Sequence, residues 1–289
     1  MPGGWTFAPK HGNVFELRFH DAARAGWEQY VLLASDQHWD NAKCDRELLK
    51  RHYDEAAEHG HPILSFGDAL CAMQGKGDPR ACYSELMGRH ARASYFDTIV
   101  DDFIEWHRPY RGVYALHAAG NHETKVLKHH GTDLVTRCAD GIRRSGGICR
   151  PGGFSGYVVI RCAGGPKTGN KTKALRLAWH HGWGGGGWSG KGVPQFAALA
   201  EQAEADIYFM GHIHRRGVTW GSRFYVSTAD RRCTRRIAYV RGGAYKDDAG
   251  DGSSGWHVER GQGPRPLGGW WLRLWWHDDG LRWDLVSPE

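Results

Sequence analysis

The chain has 289 residues, 40% hydrophobic and 24% charged, with a formal net charge of +6 and a pI near 8.9. This composition builds a core and excludes a disordered or fibrous chain; no apolar run approaches the roughly 20 residues of a membrane-spanning helix. The mild basic excess is compatible with anionic substrates but does not define a nucleic-acid binder.

The seven cysteines (Cys44, Cys71, Cys82, Cys138, Cys149, Cys162 and Cys233) are scattered and form no Cys-x-x-Cys pair. That argues against a zinc knuckle or a disulfide framework. No basic stretch followed by an apolar run opens the chain, so no signal peptide is expected and a reducing cytoplasm is the simplest location.

Residues 30–35 form a continuous apolar run, as expected of a strand buried on both faces, and it ends at Asp36. A helix is expected from about Asn41, a capping residue, to Gly60, a stop, with Leu49, Tyr53, Ala56 and Ala57 on one face. Residues 62–66 read as a second buried strand, ending at Gly67-Asp68, and a polar insertion with Gly75, Gly77 and Pro79 follows. Phe96, Ile99, Val100, Phe103 and Ile104 recur at helical spacing, and residues 113–116 form a third strand just before Gly120-Asn121-His122-Glu123.

Residues 157–160 and 175–179 read as further strands, the second running into His180-His181-Gly182 and a glycine run at 184–187, either a loop over the site or a plain turn. Pro194 opens an amphipathic helix carrying Phe196, Leu199, Ala200 and Ala203. Residues 207–210 lead into Gly211-His212-Ile213-His214. Near the end, Trp270, Leu272, Leu274 and Trp276 alternate with Trp271, Arg273, Trp275 and His277, and Asp278-Asp279-Gly280 supplies the turn of a β-hairpin. The chain reads as a single α/β domain over 1–289, with a core at about 30–230, an extension at about 231–289 and no linker.

Five polar clusters therefore stand where apolar strands stop. In α/β sheets, ligands gather at the carboxyl ends of strands, where loops distant in sequence converge. Carboxylates, imidazoles and an amide oxygen together suit borderline divalent metals. One carboxylate shared by two ions can hold them about 3.5–4 Å apart, a spacing suited to phosphoryl displacement. Asp-x-His alone is usually a surface or turn pair and Gly-Asp alone is ordinary turn chemistry, while His-x-His after a strand is a stronger signal. The spacing of 32, 53, 60 and 31 residues between Asp36, Asp68, Asn121, His181 and His212, all at strand ends, makes them one signal.

In this order the motifs Asp36-x-His38, Gly67-Asp68, Gly120-Asn121-His122-Glu123, His181 and Gly211-His212-x-His214 resemble the calcineurin-like metallophosphoesterase superfamily over about residues 30 to 230. The resemblance implies a four-layer αββα sandwich and a dinuclear centre. Asp36, His38, Asp68 and His214 would hold one metal ion, and Asp68, Asn121, His181 and His212 the other, with Asp68 bridging. His122 would face the substrate without being a ligand. Manganese is the first expectation, with iron, zinc or nickel as alternatives. The stretches 71–76, 120–124, 255–261 and 266–272 look like a phage and prophage branch of that superfamily. His180 and His181 are adjacent and a strand end points only one inward; the superfamily pattern places Gly after the ligand, so the resemblance favours His181. His129 and His130 read as solvated.

The expected activity is hydrolysis of a phosphoester by a metal-bridging water or hydroxide, with His122 serving the leaving oxygen. No cysteine stands beside a motif histidine in a recognisable nucleophile signature. After Gly67-Asp68 the chain reads Ala69-Leu70-Cys71-Ala72-Met73, which lacks the Asp-Arg pair of protein phosphatases in this superfamily. A phosphodiester in DNA, RNA or a nucleotide-like molecule is the preferred substrate. A phosphomonoesterase and a non-catalytic metal-binding scaffold are the alternatives. The basic run Arg231, Arg232, Arg235, Arg236 and Arg241 is either a solvated strand face or a phosphate-steering rim. Trp183, Trp188, Trp220, Tyr245 and Trp256 are candidates for base stacking as well as for packing.

Overall fold

The computed structural model describes residues 4–74, 85–164, 171–184, 192–250, 252, 256–259, 261, 263–278 and 280–288. One sheet has seven strands: β1 (Trp5–Pro9), β2 (Val14–Phe19), β7 (Ser155–Ala163), β8 (Thr172–His180), β9 (Ile207–Met210), β11 (Arg232–Arg241) and β10 (Gly217–Val226), in that spatial order. The other has six: β13 (Gly280–Val286), β12 (Trp270–His277), β3 (Glu28–Ala34), β4 (Ile63–Ser65), β5 (Tyr114–Ala118) and β6 (Arg150–Gly152). Both sheets are mixed: β3, β4, β5 and β6 run parallel, while β12 pairs antiparallel with β3 and β13.

The sheets pack face to face around one core. Phe66, just past β4, meets Phe209 of β9 with ring centroids 4.6 Å apart, and Trp179 of β8 at 5.7 Å. Three helices cover the outside of the six-stranded sheet: α1 (Arg46–His59), α2 (Tyr95–His107) and α4 (Leu134–Arg144). α3 (Asn121–His130) follows β5, and α5 (Val193–Gln202) covers the seven-stranded sheet with Phe196 and Leu199 against Tyr208, Met210 and Ile237. This is the αββα sandwich expected from the sequence, with its C-terminal β-hairpin.

The expected elements are found, with shifted ends. α1 begins at Arg46, not near Asn41, because Asp45 accepts a hydrogen bond from Leu48 N at 2.9 Å and caps the helix. Asn41 is engaged elsewhere, donating to Glu85 and to the Cys71 sulfur. Gly60 ends α1 in the left-handed conformation, as expected. The glycine and proline positions of the expected insertion, Gly75, Gly77 and Pro79, lie outside the described residues. Among the described residues, no helix is long and apolar enough to cross a membrane.

Packing also fixes the charge state of two core histidines. Burial lowers His107 to about 3 and His117 to about 4. In the unfolded chain both titrate near the ordinary value of about 6.5. Below that value the unfolded state binds protons that the folded state refuses, so stability falls as pH drops from about 6.5 to about 4. Each unit of depression corresponds to about 1.4 kcal/mol. Calorimetric melts should show Tm falling steadily through that window, and a flat Tm would contradict the assignment of neutral, buried imidazoles.

Candidate metal centre

Five strands deliver the polar clusters to one edge of the sandwich. β3 runs into Asp36 and His38, β4 into Asp68, and β5 into Asn121, the first residue of α3. From the opposite sheet, β8 runs into His181, and β9 into His212 and His214. Cross-sheet hydrogen bonds tie the ends together. His212 N donates to both Asp36 carboxylate oxygens at 3.0 Å, and His181 Nδ1 lies 3.1 Å from the Phe66 carbonyl.

The backbone at these ends is unusual. Asp36 (φ 51°), His38 (46°), Asp68 (48°), His212 (69°) and His214 (50°) all occupy the left-handed region. Such conformations cost of order 1–3 kcal/mol each and persist where the surroundings over-determine them, typically at functional sites. Here they turn the chain off the strand end so that each side chain points back into the cluster. Two motif glycines are required by close approach: a Cβ at Gly120 would collide with the Asp68 carboxylate, and one at Gly211 would lie 2.6 Å from Asp36 Oδ2.

Two groups of donors result. Asp36, His38 and His214 offer one ligand atom each within 4.8 Å of one another, and so do Asp68, His181 and His212. In the first, His38 Nε2 and His214 Nε2 are 3.2 Å apart and His214 Nε2 is 3.4 Å from Asp36 Oδ1. In the second, His181 Nε2 is 3.1 Å from Asp68 Oδ2, and Asn121 Oδ1 lies 2.7 Å from His212 Nδ1 and 3.2 Å from His181 Nε2. His181 Nε2 also reaches to 4.0 Å from Asp36 Oδ1, so the groups are contiguous. Two nitrogens each about 2.0–2.1 Å from a shared tetrahedral ion stand about 3.3 Å apart, which matches these separations.

The electrostatics favour cations here. Asp36 and Asp68 are fully buried, which alone would raise their pKa; His214 and His181 outweigh burial at Asp36, and His181 and His122 drive Asp68 well below the carboxylate range. Burial likewise opposes charge on the two imidazoles. Asp68 and Asp36 nonetheless push His181 up to about 10, and Asp248 and Asp36 push His214 up to about 9. His38 is lowered well below its usual value, by burial first and then by His122 and His214. Two buried carboxylates thus draw positive charge from the nearest imidazoles, and a divalent ion would supply that charge directly. The donor set fits.

His122 lies between the groups. Its backbone N–H donates to Asp68 Oδ1 at 2.9 Å and its ring packs edge-on to His38 at 4.9 Å. Nδ1 is 2.5 Å from the Cys71 carbonyl, an acceptor that keeps the proton on Nδ1, and Nε2 lies 3.7 Å from Asp68 Oδ2. His180 points away: its Nδ1 accepts from Gly182 N at 2.9 Å and its ring packs on Phe154 and Trp183. The structure therefore brings His181, not His180, into the cluster. His129 and His130 are exposed at the end of α3.

Supporting groups extend the sequence reading. Glu123 is buried and its carboxylate accepts from Gly120 N, Leu70 N and Asp68 N at 2.9, 3.0 and 3.2 Å, which locks the second and third motifs together. Ser35 Oγ donates to Asp36 Oδ2 at 2.6 Å. Cys71 stands beside two motif histidines after all, within 4.8 Å of His38 and His122 ligand atoms. Burial raises its thiol well above the ordinary range, so it stays protonated and offers no nucleophile.

The basic run does not rim this centre. β11 lies parallel to β9, so only its last residue, Arg241, reaches the end of the sheet where Gly242 N bonds to Met210 O. Arg232 begins the strand, about 30 Å away at roughly 3.3 Å per residue, and Arg231 precedes it. Arg235 and Arg236 pair with Glu204 and Asp284. Of the aromatic candidates, Tyr245 is core, Trp183 is partly exposed beside His180, and Trp220 packs on Trp283 under Arg236. Trp188, residues 185–187 of the glycine run and the Trp256 side chain lie outside the described residues.

No family model and no curated protein matches the chain. Solved structures overlap it loosely. Vacuolar Protein Sorting 29 from Cryptosporidium parvum is 10% identical, covering 90% of this chain and 97% of that one, with a TM-score of 0.35. A Streptococcus pneumoniae protein described as a predicted phosphoesterase is 11% identical, covering 90% of both chains, with a TM-score of 0.31. The anchor protein of the Plasmodium inner membrane complex is 12% identical, covering 90% and 84%, with a TM-score of 0.42.

Proposed function

We propose that this chain is a dinuclear-metal phosphoesterase that cleaves a phosphodiester of nucleic-acid or nucleotide-like type. The observation that carries this reading is the meeting of two Asp-His-His groups across the buried Asp36 and Asp68, with the His122 ring beside them. Asp36, His38, Asp68 and His214 would hold one ion and Asp68, Asn121, His181 and His212 the other, with Asp68 shared. Manganese is the first choice, and the mixed carboxylate, imidazole and amide set also suits iron, zinc or nickel. When bound, two such ions acidify a water and neutralise charge on the phosphate oxygens.

The chain's own residues supply the rest. Asp36 and Asp68, held by His212 N and His122 N, keep fixed negative charge at the centre. With Nδ1–H donated to the Cys71 carbonyl, His122 Nε2 is the atom that carries a proton to the leaving oxygen or stabilises its charge while protonated. No side-chain nucleophile is needed. The likeness of residues 71–76, 120–124, 255–261 and 266–272 supports the phage and prophage branch as the finer assignment.

The test is metal analysis followed by hydrolysis of a chromogenic monoester, a chromogenic diester, and single- and double-stranded DNA with manganese. The diesters are expected to turn over fastest, with about two ions per chain. Turnover of the monoester alone would replace the diesterase reading with a phosphomonoesterase. No turnover on any substrate would favour a metal-binding scaffold if the ions are present, and would defeat the proposal outright if they are not.

A further inference from the structure

The segment after β11 carries none of the five metal-ligand clusters, yet it packs directly behind the metal centre. Tyr245 N donates to the Asp36 carbonyl at 3.0 Å, which registers this segment against the end of β3. Three residues later, Asp248 places Oδ2 3.4 Å from His214 Nδ1. His214 Nε2 faces the opposite way, toward Asp36 Oδ1 at 3.4 Å and His38 Nε2 at 3.2 Å. One imidazole thus presents one nitrogen to the donor group and the other to a carboxylate that is only 4% exposed.

The carboxylate is itself held. Lys246 Nζ lies 3.0 Å from Asp248 Oδ1 and 2.8 Å from Glu85 Oε2, and Asn41 donates to the same Glu85 oxygen at 2.8 Å. Lys246 is 8% exposed, so Asp248, Lys246 and Glu85 alternate in charge behind His214 through a largely buried region. A buried carboxylate with its lysine partner is fixed in place rather than free to rotate. From the same segment, Arg265 Nη1 donates to the Ile213 carbonyl at 2.6 Å and holds the His212–His214 loop from outside.

We propose that Asp248 is a positioning residue for His214: it accepts the Nδ1 proton, fixes the tautomer and ring orientation, and leaves the Nε2 lone pair aimed at the ion shared with Asp36 and His38. Carboxylate partners of this kind make a ligating histidine more basic, and their removal costs about 10–100-fold in metal affinity. The assignment rests on the dinuclear reading above, and it adds a selective expectation. Only the ion held by His214 should weaken, because the Asp248 carboxylate spans His214 on one side and Lys246 on the other.

The experiment is titration of the metal-free full chain with manganese, and with cobalt(II) followed by its visible spectrum, for the wild type, Asp248→Asn, and Asp248→Asn combined with Lys246→Met. The double variant removes both charges of the pair, so a buried unpaired lysine cannot be the cause of any loss. The expected result is one ion bound about 10–100-fold more weakly in both variants, with the cobalt band of that ion altered and the other ion unchanged. Wild-type affinity for both ions in the variants would overturn the assignment while leaving the dinuclear reading intact. Equal weakening of both ions, together with a lowered Tm of the metal-free variants, would also overturn it, because that marks a structural role. A wild-type chain that takes up no metal would overturn the dinuclear reading, and the assignment with it.

Discussion

Asp68→Asn should lower bound metal from about two ions per chain to one or none and slow hydrolysis by roughly three orders of magnitude or more. The rate estimate follows because removing several kcal/mol of charge stabilisation at the reacting phosphate corresponds to a tenfold loss for each 1.4 kcal/mol. Asp68 is the expected bridge, and its carboxylate is within 3.1 Å of His181 and 3.7 Å of His122. Asparagine keeps the volume and still accepts from His122 N, so the local backbone is preserved while the bridging charge is lost. Elemental analysis with a manganese-dependent diester assay checks both parts. Two ions retained with a rate within tenfold of wild type would show that Asp68 is not shared between metals.

His122→Ala should separate chemistry from binding. General acid catalysis contributes about 10²–10⁴-fold, so turnover should fall by that factor while metal content stays near two per chain. Its Nδ1 is committed to the Cys71 carbonyl, and His122 stands outside both Asp-His-His groups. The loss should also depend on the substrate. A leaving group that departs readily as an anion needs no proton, so a nitrophenyl diester should suffer less than an alkyl one. Equal slowing of both, or loss of both metals, would make His122 a structural residue instead.

Much of this architecture was legible because the central strands are buried on both faces. β4, β5, β9 and the last four residues of β3 are buried throughout, and a polar motif residue follows each within three residues. The tryptophan-rich hairpin declared itself by alternation, yet nothing in its residues says that Leu272 pairs with Val31 at the far end of the chain. β10 was hidden by its largely exposed, interrupted pattern, whereas β2 alternates cleanly and was readable. α4 was readable and went unassigned: Asp133 caps it, and Leu134, Val135, Cys138, Ala139 and Ile142 are all buried. α1 began later than expected because several residues near Asn41 offer the same capping chemistry, and only the fold decides which of them is free to cap.

The order of the donors, their strand-end positions and the glycines beside them are properties of the chain by itself, since strand periodicity and turn chemistry act over a few residues. Tertiary structure decided between His181 and His180, which the sequence only favoured, and it alone decided that every arginine of the basic run except Arg241 lies away from the centre and that Asp248 stands behind His214. Those are contacts between residues far apart in sequence, set by how two sheets pack and in what register. Such contacts depend on which buried polar groups find partners, and spacing along a chain does not record that.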